Sequence, residues 1–144
     1  MPHATRTVII DRPLKEVFAF LADAENDPTW RTGVITIHRD GPLAVGSRYS
    51  QQTAGPLGRP IPADLEITDY VPDSTVAFRV IAGPVRPVGS YVFTGGDLTT
   101  TVTFTLDVNL TGIKKLFMTR MVQQTMDAEM AALDRAKALL ESRP

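Results

Sequence analysis

Residues 11–23, Asp-Arg-Pro-Leu-Lys-Glu-Val-Phe-Ala-Phe-Leu-Ala-Asp, followed by Asn26-Asp27-Pro28-Thr29-Trp30, decide how this chain reads. Pro13 suits a first helical turn, where its missing N–H costs nothing. Of Asp11 and Arg12 just before it, Asp11 is chemically the better cap. Leu14, Val17, Phe18 and Leu21 recur at helical spacing and form one apolar stripe. Asn26, Asp27 and Pro28 then reset the chain. Asp27-Pro28 reads as the start of a second short helix that carries Trp30, the only Trp, and ends at Gly33.

Outward from this stretch the pattern changes period. A β-like run at residues 5–11 precedes it. Six more strand-like runs follow, at residues 34–39, 47–53, 63–71, 75–81, 88–94 and 100–109. The last is the clearest: Val102, Phe104, Leu106 and Val108 alternate with Thr101, Thr103, Thr105 and Asp107, as in a sheet with one covered and one wet face. Short connections between successive strands predict an antiparallel meander. That places the Gly/Pro-rich loops 54–62 and 82–87 at the same end of the sheet. Residues 113–141 form a long terminal helix entered through Thr111-Gly112. Phe117, Met118, Met121, Val122, Met126, Leu133 and Leu140 fall within an apolar arc too broad for a helix covered by a single element.

The chain has 144 residues, with 43% hydrophobic and 22% charged, and is read as one domain spanning 1–144. Its net charge is -1 and no basic stripe is visible, so no nucleic-acid partner is expected. Cys is absent, which rules out disulfides, thiolate metal sites and a Cys nucleophile. With only His3 and His38, a His-based metal site is not expected, nor is any cofactor. No leader-like or membrane-spanning run is seen. A soluble cytoplasmic protein without stable membrane insertion, monomer or homodimer, is the expectation.

The helix–break–helix opening, Pro72 after the fourth strand and the Thr-rich last strand together resemble the START-like helix-grip superfamily (SRPBCC), which includes polyketide cyclases/dehydratases and lipid-transfer proteins. The resemblance implies an α+β fold. A seven-stranded antiparallel sheet curves around the C-terminal helix, with two short helices after strand one. It further implies a cavity between the concave sheet face and that helix, with a small hydrophobic molecule, lipid or polyketide-like, as partner. A cyclase or dehydratase acting in the same cavity is the alternative. Leu65, Ile67, Phe78, Val80, Phe104, Leu106, Phe117 and Met121 are expected to line the cavity or to pack as its core. Trp30 either closes one end or anchors the second helix. Arg59 and Arg86, on the two paired loops, are expected at the mouth, where an anionic head group could meet them.

Four of the five Met residues, Met118, Met121, Met126 and Met130, lie on the terminal helix, where adaptable side chains suit a varied apolar ligand or an irregular core. Glu129 is the anomaly of that helix, because it falls near the middle of the apolar arc. A carboxylate buried there would have a raised pKa and could serve as a general acid or base, with Tyr49, Tyr70 or Tyr91 beside it. The other readings are a wet edge of the arc, or a basic partner.

Overall fold

The computed structural model describes residues 2–144. It is α+β, with the predicted sheet and terminal helix. The strands are β1 (His3–Ile10), β2 (Val34–Asp40), β3 (Arg48–Ala54), β4 (Pro60–Pro62), β5 (Leu65–Val71), β6 (Thr75–Val80), β7 (Val88–Gly95) and β8 (Thr100–Asp107). Seven follow the order β1-β8-β7-β6-β5-β3-β2, every pairing antiparallel. The three-residue β4, which alternation alone does not reveal, pairs beside β3. Register shifts at Val34/Thr36 and Ile67/Asp69 give the curl, since each bulge sharpens local twist. Helix α1 (Leu14–Ala22) packs on β7, and α2 (Gly112–Glu141) lies along β1.

Two local expectations change. Asp11 does not cap α1; Pro13 occupies the cap position with no side-chain bond. The first helical N–H, that of Leu14, donates instead to Gly96 O at 2.9 Å, in the β7–β8 turn. Asp11 is drawn elsewhere, its N–H donating to the Glu141 carboxylate at 2.8 Å, while Arg12 reaches the Glu141 carbonyl at 2.8 Å. The corner between β1 and α1 is therefore fastened to the end of α2. The second short helix also begins earlier than predicted. A 3₁₀ helix spans Ala24–Thr29, with Asp23 accepting from Glu25 N and Trp30 at its C-cap. Asp23 is the stronger capping signal, and Pro28 is accommodated inside the helix.

Alternation is obeyed on the inner face. Val102, Phe104 and Leu106 of β8, Tyr91 and Phe93 of β7, Val76 of β6 and Leu65 and Ile67 of β5 are buried in one core. Tyr91 and Phe104 stack at 4.4 Å with planes 6° apart, and Phe93 meets Phe18 of α1 edge-on at 5.0 Å. On the outer face Glu66 bridges Arg48 (3.2 Å) and Arg79 (2.7 Å). The Arg79 hydrogen bond, more than any other influence, holds this carboxyl below its ordinary range. The two Gly/Pro loops do share an end: a Cβ on Gly83 would sit 2.2 Å from Pro62 O. Helix α2 is core-bound only in part. Val122, Met126, Met130, Leu133, Ala136 and Leu140 are buried, but every residue from 111 to 117 is exposed.

Gly89 is fixed by aromatic packing, because an added Cβ would lie 2.5 Å from the Phe78 ring and 2.8 Å from Leu106. Gly96 has nothing within 4 Å. Gly89→Ala should therefore cost about 1–3 kcal/mol in urea unfolding, as overpacking does. Gly96→Ala should stay within about 0.5 kcal/mol of the parent. Equal costs at both positions would contradict the packing argument.

Candidate functional site

The 3₁₀ helix delivers Asp27, Trp30 and Arg31 to the inside of the sheet. Asp27 O accepts from the N–H groups of Trp30 (3.0 Å) and Arg31 (2.7 Å), which turns the chain and directs the Arg31 side chain inward. The guanidinium then meets two carboxylates. Arg31 Nε and Nη2 donate to Glu129 Oε2 and Oε1 at 2.6 and 3.2 Å, and Nη1 donates to Asp27 Oδ2 at 2.8 Å. Nη1 also reaches Gln51 Oε1 at 3.4 Å, and Gln51 is held by Ala63 O and Asp64. A bidentate Arg–carboxylate pair is the strong form of this contact.

Glu129 is thus paired with a basic residue, the third of the three readings its position allowed, and both its oxygens are engaged. Sequence pattern alone does not single out Arg31. Its signal was present as the i,i+4 spacing from Asp27. One guanidinium faces two carboxylates, so the cluster is short of positive charge. Asp27 bears the consequence: burial raises its pKa to about 6 even though Arg31 pulls it down. Among the described residues its Oδ1 is buried with no hydrogen-bond partner, as is Trp30 Nε1. Burial first, then the nearby Asp27 charge, keeps the Tyr91 phenol well above its ordinary range. Tyr49, pushed up to about 12 by burial, donates to Asp23 at 3.1 Å.

Beside this cluster a cleft of about 310 Å³ opens between α2 and the 31–33 segment. Its walls include Arg31, Gly33, Met121, Thr125, Ala128 and Glu129. A second recess of about 330 Å³ lies between the 83–86 loop and the start of α2, and Arg86 lines it. The predicted wall residues separate into three groups. Leu65, Ile67, Phe104, Leu106 and Trp30 are buried core, while Phe78 and Val80 are half-buried against it. Ile67 pairs with Phe78 and Leu65 with Val80 across β5–β6, so these form one continuous patch. Met121 is half-exposed at the cleft, and Phe117, one turn beyond, is 73% exposed. Arg59 and Arg86 are both exposed on the paired loops, but Arg59 is not among the residues of the Arg86 recess. Among the described residues no cluster could hold a metal ion, and no helix is long and apolar enough to cross a membrane.

The sequence pattern described as "Polyketide cyclase / dehydrase and lipid transport" matches residues 1–141. The chain belongs to that family. No curated protein matches it in sequence. Solved structures share its fold. TTHA0849 from Thermus thermophilus superposes with a TM-score of 0.77 at 20% identity, covering 99% of this chain and 100% of that one. The di-domain ARO/CYC BexL of the BE-7585A biosynthetic pathway gives 0.73 at 21% identity, over 99% of this chain. This chain spans 50% of that protein's length. A START superfamily protein from Mycobacterium smegmatis gives 0.71 at 14% identity, over 96% of this chain and 98% of that one. These neighbours show the START-like helix-grip fold, and the family match supports a ligand-binding or cyclase role.

Asp27 supplies a pH test. It is a weaker acid in the folded chain, at about 6, than its ordinary 3.8. The native state therefore holds an extra proton between those values, and this contribution to stability grows as pH falls through the folded value. Asp27→Asn removes it. The melting temperature of the parent minus that of the variant should accordingly rise between pH 8 and pH 5, by roughly 2–4 °C or more per kcal/mol of linkage. A difference that does not change with pH would show that Asp27 titrates normally.

Proposed function

We propose that the protein binds a small hydrophobic or aromatic molecule, lipid or polyketide-like, between the sheet and α2. What carries the reading is the cleft itself. It has about 310 Å³ of space between the 31–33 segment, which contributes Arg31, and α2, which contributes Met121, Ala128, Glu129 and Ala132. That is the lower end of the size of ligand sites, and the lining sets the apolar Met121, Ala128 and Ala132 among the polar Arg31, Thr32, Gln124, Thr125 and Glu129. The ion pair orients rather than attracts an anion, since the guanidinium is already doubly occupied. A ligand that presents hydroxyl or amide hydrogens to Glu129 fits better than a carboxylate. Phe117, one turn before Met121 on α2, extends the apolar surface beyond the cleft.

The neutral probe N-phenyl-1-naphthylamine tests this by fluorescence titration. Ala128 is exposed on the helix and lines the cleft, so Ala128→Phe fills the space without touching the core. It should weaken probe binding by at least about tenfold while leaving the melting temperature within a few degrees. Unchanged binding would place the ligand elsewhere. Native mass spectrometry of the purified chain, with and without this substitution, identifies any co-purified molecule.

One observation favours the alternative of cyclase or dehydratase chemistry. Asp27 has a carboxyl oxygen with no partner and a pKa of about 6, and a group poised near the working pH exchanges protons most effectively. Asp27, rather than Glu129, is then the acid/base group, acting on an enolisable ligand that reaches past Arg31. If so, Asp27→Asn should bind the naphthylamine normally yet lose turnover of a poly-β-keto substrate by about 10²-fold or more. Retained turnover in that variant rules Asp27 out.

A further inference from the structure

One end of the molecule carries more exposed apolar side chains than its fold requires. In the first turns of α2, Ile113 and Leu116 are each 76% exposed and Phe117 is 73% exposed, with none of the described elements covering them. At the tip of the 54–62 loop, Leu57 is 95% exposed and sits in the left-handed region at φ 60°. A Leu in that conformation is uncommon and gains nothing from burial here. The two features share an end of the sheet. The Leu57 loop leads into β4, whose Pro62 carbonyl abuts Gly83. The same 83–86 loop receives Lys114 of α2, whose Nζ donates to Pro84 O at 2.9 Å.

Charge at this end is one-sided although the whole chain is at -1. Segments 54–63, 82–87 and 108–126 contain Arg59, Arg86, Lys114, Lys115 and Arg120, and no Asp or Glu. The acids that flank these segments in the chain are Asp64, Asp107 and Asp127: Asp64 accepts from Gln51 N, Asp107 pairs with His3, and Asp127 accepts from Gln123. Protruding Leu, Ile and Phe side chains ringed by cations suit the boundary of an anionic bilayer, where apolar burial and charge attraction add. A second copy of the chain fits less well, because a self-complementary contact would bring two basic ends together.

We propose that this end, the Leu57 loop together with the first two turns of α2, docks on an anionic lipid surface. Leu57, Ile113 and Leu116 enter the interface, and Arg59, Arg86, Lys114, Lys115 and Arg120 meet the lipid phosphates. The docking is peripheral and does not depend on what occupies the cleft.

Flotation of the full chain with vesicles provides the test. The chain should partition onto phosphatidylcholine–phosphatidylglycerol vesicles, not onto pure phosphatidylcholine, and added salt should release it. Leu116→Glu and Leu57→Ser alter exposed positions, so circular-dichroism melting should be unchanged. Each should lower partitioning by at least about tenfold. Naphthylamine binding should persist in both, which separates this surface from the cleft. Three results would overturn the proposal: no association with anionic vesicles, association insensitive to Leu116→Glu, or a dimer in light scattering that Leu116→Glu dissociates. The last would assign the patch to a second copy.

Discussion

The Arg31 guanidinium is the contact on which the interior depends. Through it the 3₁₀ helix (Asp27), strand β3 (Gln51) and helix α2 (Glu129) meet at one planar group. Only Arg has the fixed fork of donors needed to serve three acceptors at once. Burial makes the arrangement costly to form and costlier to break. Removing one member of a buried ion pair leaves a bare charge, at about 3–5 kcal/mol. Here the loss of Arg31 would leave two carboxylates facing one another. The cluster therefore sets the distance between the middle of α2 and the sheet, and with it the width of the cleft.

Around this polar island the inner face of the sheet is apolar and buried. Phe104 and Tyr91 stack, Phe93 continues the ladder to Phe18, and Phe78 leans over Gly89. Such aromatic contacts add about 0.5–1.5 kcal/mol each beyond area burial. They make the wall stiff where α1 and the second half of α2 cover it. The run of buried α2 residues starts at Val122. Beyond that point, toward its start, Met118 still packs against the core, but residues 111–117 leave their side chains in solvent. One helix thus serves as a structural spine in one half and an uncovered surface in the other.

Much of this was legible in the sequence, because periodicity reports burial directly. The Thr/apolar alternation of residues 100–107 could only be a half-covered strand, and Leu14, Val17, Phe18 and Leu21 could only be one face of a helix. The pairing of the two Gly/Pro loops followed from counting connections. The site was less legible. A helical wheel assigns Phe117 and Val122 to one arc, but it does not show where the sheet stops, and that decides which of them is buried. Glu129 was visible as an anomaly, whereas its partner lay 98 residues away along the chain. Local pattern does not encode a contact of that range. Asp11 loses the cap to Gly96 O, an acceptor that also comes from a distant turn.

The single Trp adds an optical property to this arrangement. Trp30 is 1% exposed, adjoins Arg31 in the chain, and its carbonyl lies 3.5 Å from Arg135 Nη1 of α2. Indole emission responds to nearby charge and to water. All tryptophan light from this protein thus originates at the junction of the 3₁₀ helix, the sheet and the terminal helix. Any event that shifts α2 against the sheet is recorded there by a native chromophore, without a label.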